Sequence, residues 1–113
     1  PQTEVLGHPG CVAAVLHCGW GSTCDAVVSG KPVCAIPVFG DQPINARILH
    51  RMGMCKIVGA ADGVLKKSCM AWAGGIAPDE LRADVRSVIG DADFARAARR
   101  WSERCRAWGG GAR

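Results

Sequence analysis

Three short apolar runs alternate with two segments of mixed polarity in the first half of the chain. The runs cover residues 12–16, 32–36 and 54–58, and their length and apolar content predict buried strands. The segments between them favour helices, over residues 25–29 and from residue 43 to a stop at residue 53. Strands and helices that alternate in this way form a βαβαβ unit. We therefore predict an α/β fold with a parallel sheet flanked by helices.

The two ends of the chain follow different patterns. Residues 1–10 are polar and interrupted by Gly and Pro, which predicts a loop, and residues 60–77 show no clear periodicity. Pro78 is expected to begin a helix, and a second helix should follow residues 90–91. That second helix has an apolar stripe that we expect to pack against the sheet or a neighbouring domain, formed by Phe94, Ala98, Trp101, Cys105 and Trp108. Residues 109–113 are expected to be a flexible end.

The composition is that of a globular domain, with 49% apolar and 21% charged residues. The apolar runs are far shorter than the ~20 residues that a membrane span needs, so no span is expected. Seven cysteines are present, an odd number, and no two have the C-x-x-C spacing of zinc or redox sites. This usage favours free thiols in a reducing compartment, and we expect a cytoplasmic protein without a metal site.

The positive charge of the chain is concentrated at its end. The formal net charge is +4, and six arginines face a single acid, Glu103, in the last twenty residues. A basic end can attract nucleic acid or a membrane surface. The arginines lie largely off the apolar stripe of the last predicted helix, which is typical of a solvated helix face. We therefore expect no nucleic-acid partner.

Residues 17–25, with the sequence HCGWGSTCD, join the first predicted strand to the first predicted helix. A small-residue turn before a helix start offers unpaired N–H groups and the positive end of the helix dipole to a phosphate. A P-loop is excluded because it needs Gly where Asp25 stands and Ser or Thr where Pro32 stands. The G-x-S-x-G frame of a serine-hydrolase elbow is not met either. The turn therefore predicts a site for a nucleotide diphosphate.

An ordered set of residues at fixed spacings extends this prediction over the first part of the chain. The set comprises Pro1-Gln2, His8, His17-Cys18-Gly19-Trp20-Gly21-Ser22, Asp25, Gly30-Lys31-Pro32, Pro37, Asp41-Gln42 and Asn45. It closely resembles the signature box of plant-type UDP-dependent glycosyltransferases, the secondary product glycosyltransferase box of family 1.

The resemblance implies a GT-B fold of two facing Rossmann-like domains. Residues 1–108 would then form part of the C-terminal, donor-binding domain. The implied reaction is an inverting, metal-independent transfer of a sugar, with glucose expected, from a UDP-sugar to a small-molecule hydroxyl. The UDP-sugar is the donor substrate, and no cofactor is implied. The catalytic base is expected in an N-terminal acceptor domain of the same chain, so the isolated chain is expected to be inactive and to contain no catalytic residue.

The resemblance also implies a role for each matching residue. Gln2 is expected to meet the uracil and ribose, and Asp25 the ribose hydroxyls. His17 is expected to contact the diphosphate, and Trp20, Gly21 and Ser22 the phosphate oxygens, with Gly19 also among the UDP-sugar-binding residues. Asp41 and Gln42 are expected to bind the sugar hydroxyls. These residue types suit their partners, because a carboxylate accepts from a diol, and an acid with an amide can bind a hexose.

Three positions depart from the pattern of the family. Gly21 replaces the usual Asn, Asp25 is one methylene shorter than the usual Glu, and Ile36 replaces a Trp. These departures leave open a non-catalytic nucleotide-sugar binding module. Residues 39–43 are also similar to sterol and macrolide glycosyltransferases, which leaves the acceptor class open.

Overall fold

A parallel three-stranded sheet lies at the centre of the computed structural model, which describes residues 1–61, 64–65 and 76–109. Its strands are β1 (Ala14–Leu16), β2 (Val33–Ala35) and β3 (Cys55–Ile57), in the order β1-β2-β3. Val33 on the central strand is paired with Ala14 on one side and Cys55 on the other. All three strands lie within the predicted runs, so the predicted parallel sheet is confirmed.

Five helices lie among the described residues. They are α1 (Gln2–Gly7), α2 (Trp20–Ser29), α3 (Gln42–Arg51), α4 (Pro78–Gly90) and α5 (Ala92–Ala107). The connections α2 and α3 complete the predicted βαβαβ unit, and α4 begins at Pro78 as predicted. A two-stranded antiparallel pair, β4 (Ala60–Ala61) and β5 (Val64–Leu65), lies in the segment for which the pattern predicted no element. Residues 62–63, 66–75 and 110–113 lie outside the described residues.

The prediction of a loop over residues 1–10 is wrong, because Gln2–Gly7 forms α1. Its first turn contains Glu4, an acid that complements the positive end of the helix dipole. An isolated helix of 6 residues is unstable in water. Leu6 is buried, so packing of the helix against the rest of the domain stabilises α1. This stabilisation depends on non-local contacts that the local pattern does not contain.

Helix α2 begins five residues earlier than the pattern predicted. It starts at Trp20 instead of Asp25, so the turn after β1 consists only of residues 17–19. Its end agrees with the prediction. Gly30 caps it in the left-handed conformation, with φ of 69°, and donates its N–H to Ala26 and Val27 carbonyls.

The core lies on both faces of the sheet. On the central strand, Val33 and Ala35 point to one face and Cys34 to the other, as expected from the alternation of side chains along a strand. The first face packs against α2, α3 and α5 through a cluster that includes Ala26, Ala46, Leu49, Ala97 and Ala98. The second face packs against α4 through Val88. The sheet therefore has helices on both sides, but the prediction of a buried strand is wrong for the edge strand β1, where Val15 is 52% exposed.

Helix α5 packs against the ends of α2 and α3. Ser102 Oγ donates to the Val28 carbonyl at 2.7 Å, and Trp101 Nε1 donates to the Met52 carbonyl at 2.8 Å. The predicted stripe is confirmed at Ala98, which is fully buried, and wrong at Trp108, which is 84% exposed. Trp108 lies beyond the helix, at its C-cap, where the helical periodicity no longer applies.

The arginines of α5 lie toward solvent, as the spacing predicted. Arg99 and Arg100 are exposed, Arg96 pairs with Asp93, and the Arg104 guanidinium lies 5.0 Å from the ring centre of Trp101. Across the described part of the chain, no helix combines the length and the apolar character needed to cross a membrane.

Candidate functional site

Two loops meet at the carboxyl edge of the parallel sheet. Residues 17–19 follow β1, and residues 36–41 follow β2, its neighbour. The carboxyl ends of parallel strands lie at one edge, and this is where open α/β sheets bind their ligands. The two segments that the sequence singled out are therefore brought together.

The N-terminus of α2 is open to an anion. Gly19 is its N-cap and has no side chain that could accept from the helix N–H groups. The first intrahelical bond is donated by the Thr23 N–H to the Gly19 carbonyl, at 2.9 Å. The N–H groups of Trp20, Gly21 and Ser22 precede this bond, so the helix itself supplies them with no acceptor. Together with the helix dipole, they can hold phosphate oxygens.

His17 lies beside this helix start, with its imidazole turned back onto Gly19. Its Nδ1 accepts the Gly19 N–H at 3.3 Å, which requires Nδ1 to be unprotonated and places the proton of the neutral ring on Nε2. A Cβ on Gly19 would lie 3.0 Å from His17 Cε1, tighter than side chains normally tolerate. The absence of a side chain at Gly19 therefore allows the imidazole to take this position. His17 is exposed and offers Nε2–H as a donor.

The other residues of the turn that is expected to bind phosphate differ in exposure. Trp20 is 64% exposed, and Ser22 is half-buried. A Cβ built on Gly21 would meet nothing within 4 Å. The structure therefore leaves room at position 21 for the Asn that is usual in the family.

Gln2 and Asp25 are adjacent although 23 positions separate them. Gln2 Nε2 on α1 donates to Asp25 Oδ2 on α2 at 3.3 Å. Asp25 lies three residues after Ser22, and the helical rise places it about 4.5 Å further along the axis. The two residues expected at the ribose therefore form one unit, displaced along α2 from the helix start.

Asp41 occupies the N-cap position of α3, but its side chain caps no helix N–H. Its Oδ2 instead accepts from Asn45 Nδ2 at 2.9 Å. Gln42 is 6% exposed, and its Oε1 accepts the N–H groups of Val38 at 2.9 Å and Phe39 at 3.2 Å. Gln42 thus shapes the loop after β2 with its amide oxygen, a role that sequence reasoning missed.

Asn45 and Cys18 are two further residues whose roles the sequence reasoning missed. Asn45 Nδ2 donates to the Cys18 carbonyl at 3.0 Å as well as to Asp41. Cys18 has a φ of 69°, and no other non-glycine residue in the described part of the chain has a positive φ. Such a conformation costs roughly 1–3 kcal/mol. The i,i+4 spacing of Asp41 and Asn45 was a signal for their contact, because residues four apart share a helix face.

Three cysteines near the sheet are buried thiols. Burial, reinforced by the neighbouring Cys34, raises the pKa of Cys18 to about 12. Burial and the nearby Asp84 raise the pKa of Cys34 to about 11, and burial raises the pKa of Cys55 well above its usual value. These thiols are protonated at neutral pH and act as small apolar side chains. All six cysteines described by the structure are free, as predicted for those residues.

The family model described as "UDP-glucoronosyl and UDP-glucosyl transferase" matches residues 1–68. Among curated relatives, the chain is 35% identical over 111 residues to indole-3-acetate beta-glucosyltransferase of Zea mays, covering 95% of this chain and 22% of that protein. It is 36% identical over 100 residues to UDP-glycosyltransferase CGT of Oryza sativa subsp. japonica, covering 86% of this chain and 19% of the relative.

Two solved structures show the same architecture. Medicago truncatula UGT71G1 complexed with UDP-glucose matches with a TM-score of 0.77 at 26% identity, over 97% of this chain and 23% of that chain. An Os79 variant from O. sativa in complex with UDP matches with a TM-score of 0.76 at 33% identity, over 91% of this chain and 22% of that chain.

The chain belongs to the UDP-glycosyltransferase family. Its parallel sheet flanked by helices confirms the predicted α/β class, and its neighbours share the GT-B fold. The chain spans about a fifth of the length of the relatives it matches.

Proposed function

We propose that this chain binds the UDP-sugar donor of an inverting, metal-independent glycosyltransferase that transfers the sugar, with glucose expected, to a small-molecule hydroxyl. The observation that carries the proposal is the order of polar groups along the carboxyl edge. Asp41 and Gln42 lie at the start of α3, where the loop after β2 ends. His17 and the open start of α2 follow, and the Gln2–Asp25 pair lies further along α2. A UDP-sugar has the same order: hexose, diphosphate, then ribose and uracil.

The start of α2 supplies what a diphosphate needs. Its first N–H groups and the Nε2–H of His17 are donors, and the helix dipole favours negative charge. When the sugar leaves, negative charge grows on the phosphate next to it. Donors already held in place stabilise that charge without reorganisation, and this supports transfer that requires no metal.

The ribose and hexose are assigned to the flanking groups. Asp25 would accept from the ribose hydroxyls, with Gln2 holding one of its oxygens at 3.3 Å. Asp41 would accept from the hexose. The Oε1 of Gln42 is engaged with two backbone N–H groups, so its Nε2 would be the atom that donates to the sugar.

The acceptor and the catalytic base are proposed to belong to an N-terminal domain of the full-length protein. This division follows the resemblance to the family and predicts that the 113-residue chain alone transfers no sugar. We also propose a cytoplasmic location, which the free thiols of the described residues support.

The test compares two histidines with the same local geometry in the full-length protein. His8 Nδ1 accepts the Gly10 N–H at 2.9 Å, as His17 Nδ1 accepts that of Gly19. The His8 carbonyl, however, accepts from Lys31 Nζ at 3.3 Å, just past the opposite end of α2. We expect His17→Ala to weaken UDP binding in calorimetry by roughly 10- to 100-fold, the value of a hydrogen bond to a charged group, and His8→Ala to leave it within about threefold. Equal affinities in the two variants would contradict the proposed diphosphate site.

Transfer itself is measured with UDP-glucose and a panel of phenolic and sterol acceptors. Glucoside formation by the full-length protein would support the enzyme. Tight UDP-glucose binding without any transfer would instead support a non-catalytic binding module. The departures from the family pattern at positions 21, 25 and 36 are the reason for considering that alternative.

A further inference from the structure

Asn45 contacts both loops of the candidate site with a single amino group. Its Nδ2 donates to the Cys18 carbonyl at 3.0 Å and to Asp41 Oδ2 at 2.9 Å. Asn45 is 5% exposed, and its bond to the Cys18 carbonyl is shielded from water. Asn45 thus joins the turn after β1 to the start of α3.

The bond to the Cys18 carbonyl also reaches His17. The Cys18 carbonyl and the Gly19 N–H belong to one planar peptide unit, which moves as a rigid body. Asn45 holds the carbonyl end at 3.0 Å, and His17 Nδ1 accepts from the N–H end at 3.3 Å. The orientation of the imidazole therefore depends on a peptide plane that Asn45 holds.

That peptide plane needs support from outside the turn. Cys18 has a φ of 69°, in the left-handed region that side chains disfavour. Residues in such conformations persist where surrounding groups over-determine them. The Cys18 side chain is fully buried, and the Asn45 bond holds the carbonyl on the other side of its Cα.

The second bond of Asn45 orients Asp41. The carboxylate is exposed and makes no cap with α3, so the Asn45 bond limits the rotation of its side chain. One Oδ atom is engaged, and the carboxylate retains acceptor capacity for a ligand hydroxyl.

We propose that Asn45 is a positioning residue that fixes the spacing between the diphosphate-binding turn and the hexose-binding carboxylate. This inference rests on the proposed function. Asn45 contacts neither phosphate nor sugar itself. It acts through the Cys18–Gly19 peptide on His17, and directly on Asp41, so its loss should alter the recognition of the sugar more than that of UDP alone.

The experiment measures the affinities of the full-length protein for UDP and for UDP-glucose by calorimetry. In Asn45→Ala we expect the affinity for UDP to fall by a factor of about 3 to 10, and that for UDP-glucose by a further factor of about 3 to 10, each factor the net value of one hydrogen bond. In an Asp41→Ala background, adding Asn45→Ala should still weaken the binding of UDP. It should no longer change the ratio of the affinity for UDP-glucose to the affinity for UDP.

A matched control on the same helix measures the effect of losing a contact that only stabilises the fold. His50 Nδ1 lies 3.2 Å from the Cys55 carbonyl, a side-chain contact between α3 and β3 away from the site. His50→Ala should lower the melting temperature and leave the ratio of affinities unchanged. Asn45→Ser, which has a hydroxyl donor, is the second variant. We expect its ratio of UDP-glucose affinity to UDP affinity to lie between those of Asn45→Ala and the unchanged protein.

The outcomes separate the two proposals. If the unchanged protein binds neither UDP nor UDP-glucose, the proposed function fails. If it binds both and Asn45→Ala leaves the ratio within twofold of the unchanged protein, only the positioning role is overturned. Failure of both Asn45 variants to fold would also overturn it, because a scaffold role would then account for the residue.

Discussion

The imidazole of His17 lies directly against the backbone of Gly19. The Gly19 N–H donates to Nδ1 at 3.3 Å, and a Cβ on Gly19 would come within 3.0 Å of Cε1. The position of a proposed phosphate ligand therefore depends on the absence of a side chain two residues later.

Gly19→Ala is expected to displace the His17 ring, since a ring is easier to move than the backbone. We expect the affinity for UDP, measured by calorimetry on the full-length protein, to fall by a factor of about 3 to 10, the net value of one weakened hydrogen bond. Gly10→Ala is the matched control, because a Cβ there would meet the His8 ring at 3.1 Å. Equal losses in both variants would mean that His17 makes no contact with the nucleotide.

Gly21 has open space around it, since a Cβ would meet nothing within 4 Å. Gly21→Ala should stabilise α2 by roughly 0.5–1 kcal/mol, because glycine loses more backbone entropy on folding. Urea denaturation measures this gain in the free energy of unfolding.

Gly21→Asn tests the departure from the family at the same position. The added amide is a donor beside the open helix start, and we expect the affinity for UDP to rise by a factor of about 3 to 10. Gly21→Ala is the control for helix stabilisation alone. If Ala raises the affinity as much as Asn does, the added donor is not the cause.

The Gln2–Asp25 hydrogen bond predicts that the proposed ribose site is sensitive to charge. Gln2→Glu would place a second carboxylate next to Asp25, at a position where the amide now lies 3.3 Å away. We expect weaker UDP binding, by about tenfold at low ionic strength, with a loss that shrinks as salt screens the repulsion. Thr3→Glu adds the same charge at the neighbouring exposed position of α1 and should have a smaller effect.

Ser102 stabilises the packing of α5 on α2. Its hydroxyl is nearly buried and donates to the Val28 carbonyl at 2.7 Å. Ser102→Ala should therefore lower the free energy of unfolding by about 1 kcal/mol, the net value of such a bond. Ser87→Ala is the comparison in thermal melts, because its hydroxyl accepts only a 3.4 Å bond from Lys56. Equal destabilisation would show that the Ser102 bond contributes nothing specific.

The buried thiols predict a loss of stability at alkaline pH. Burial and Asp84 raise the pKa of Cys34 from 9.0 to about 11, so this thiol holds its proton more strongly in the folded state than in the unfolded state. The contribution of this thiol to the free energy of unfolding is complete below about pH 9. It is lost as the pH rises toward 11, because the unfolded chain releases the proton at a lower pH than the folded chain does. Because of this thiol, the free energy of unfolding is expected to fall by about 1.4 kcal/mol per pH unit in that range. In Cys34→Ala, denaturation curves between pH 9 and 11 should show a correspondingly shallower decline, and an unchanged slope would contradict the assignment.

Periodicity was sufficient to identify most of the elements. The runs of apolar residues marked β1, β2 and β3, and Pro78 marked the start of α4, because these signals depend on neighbouring side chains. The family was also readable, since the spacings of the motif are a property of the chain itself. Helix α1 was not readable, because a helix of 6 residues owes its stability to packing and not to its own sequence.

The connections within the site required the three-dimensional path of the chain. Gln2 meets Asp25 across 23 positions, and Asn45 meets Cys18 across 27, so no local pattern links them. The left-handed Cys18 was equally hidden, because residue type predicts glycine at such a φ and Cys18 is held there by contacts from another helix. The spacing of side chains along the chain thus specified which groups are proposed for the site, and packing between distant segments set how those groups are oriented.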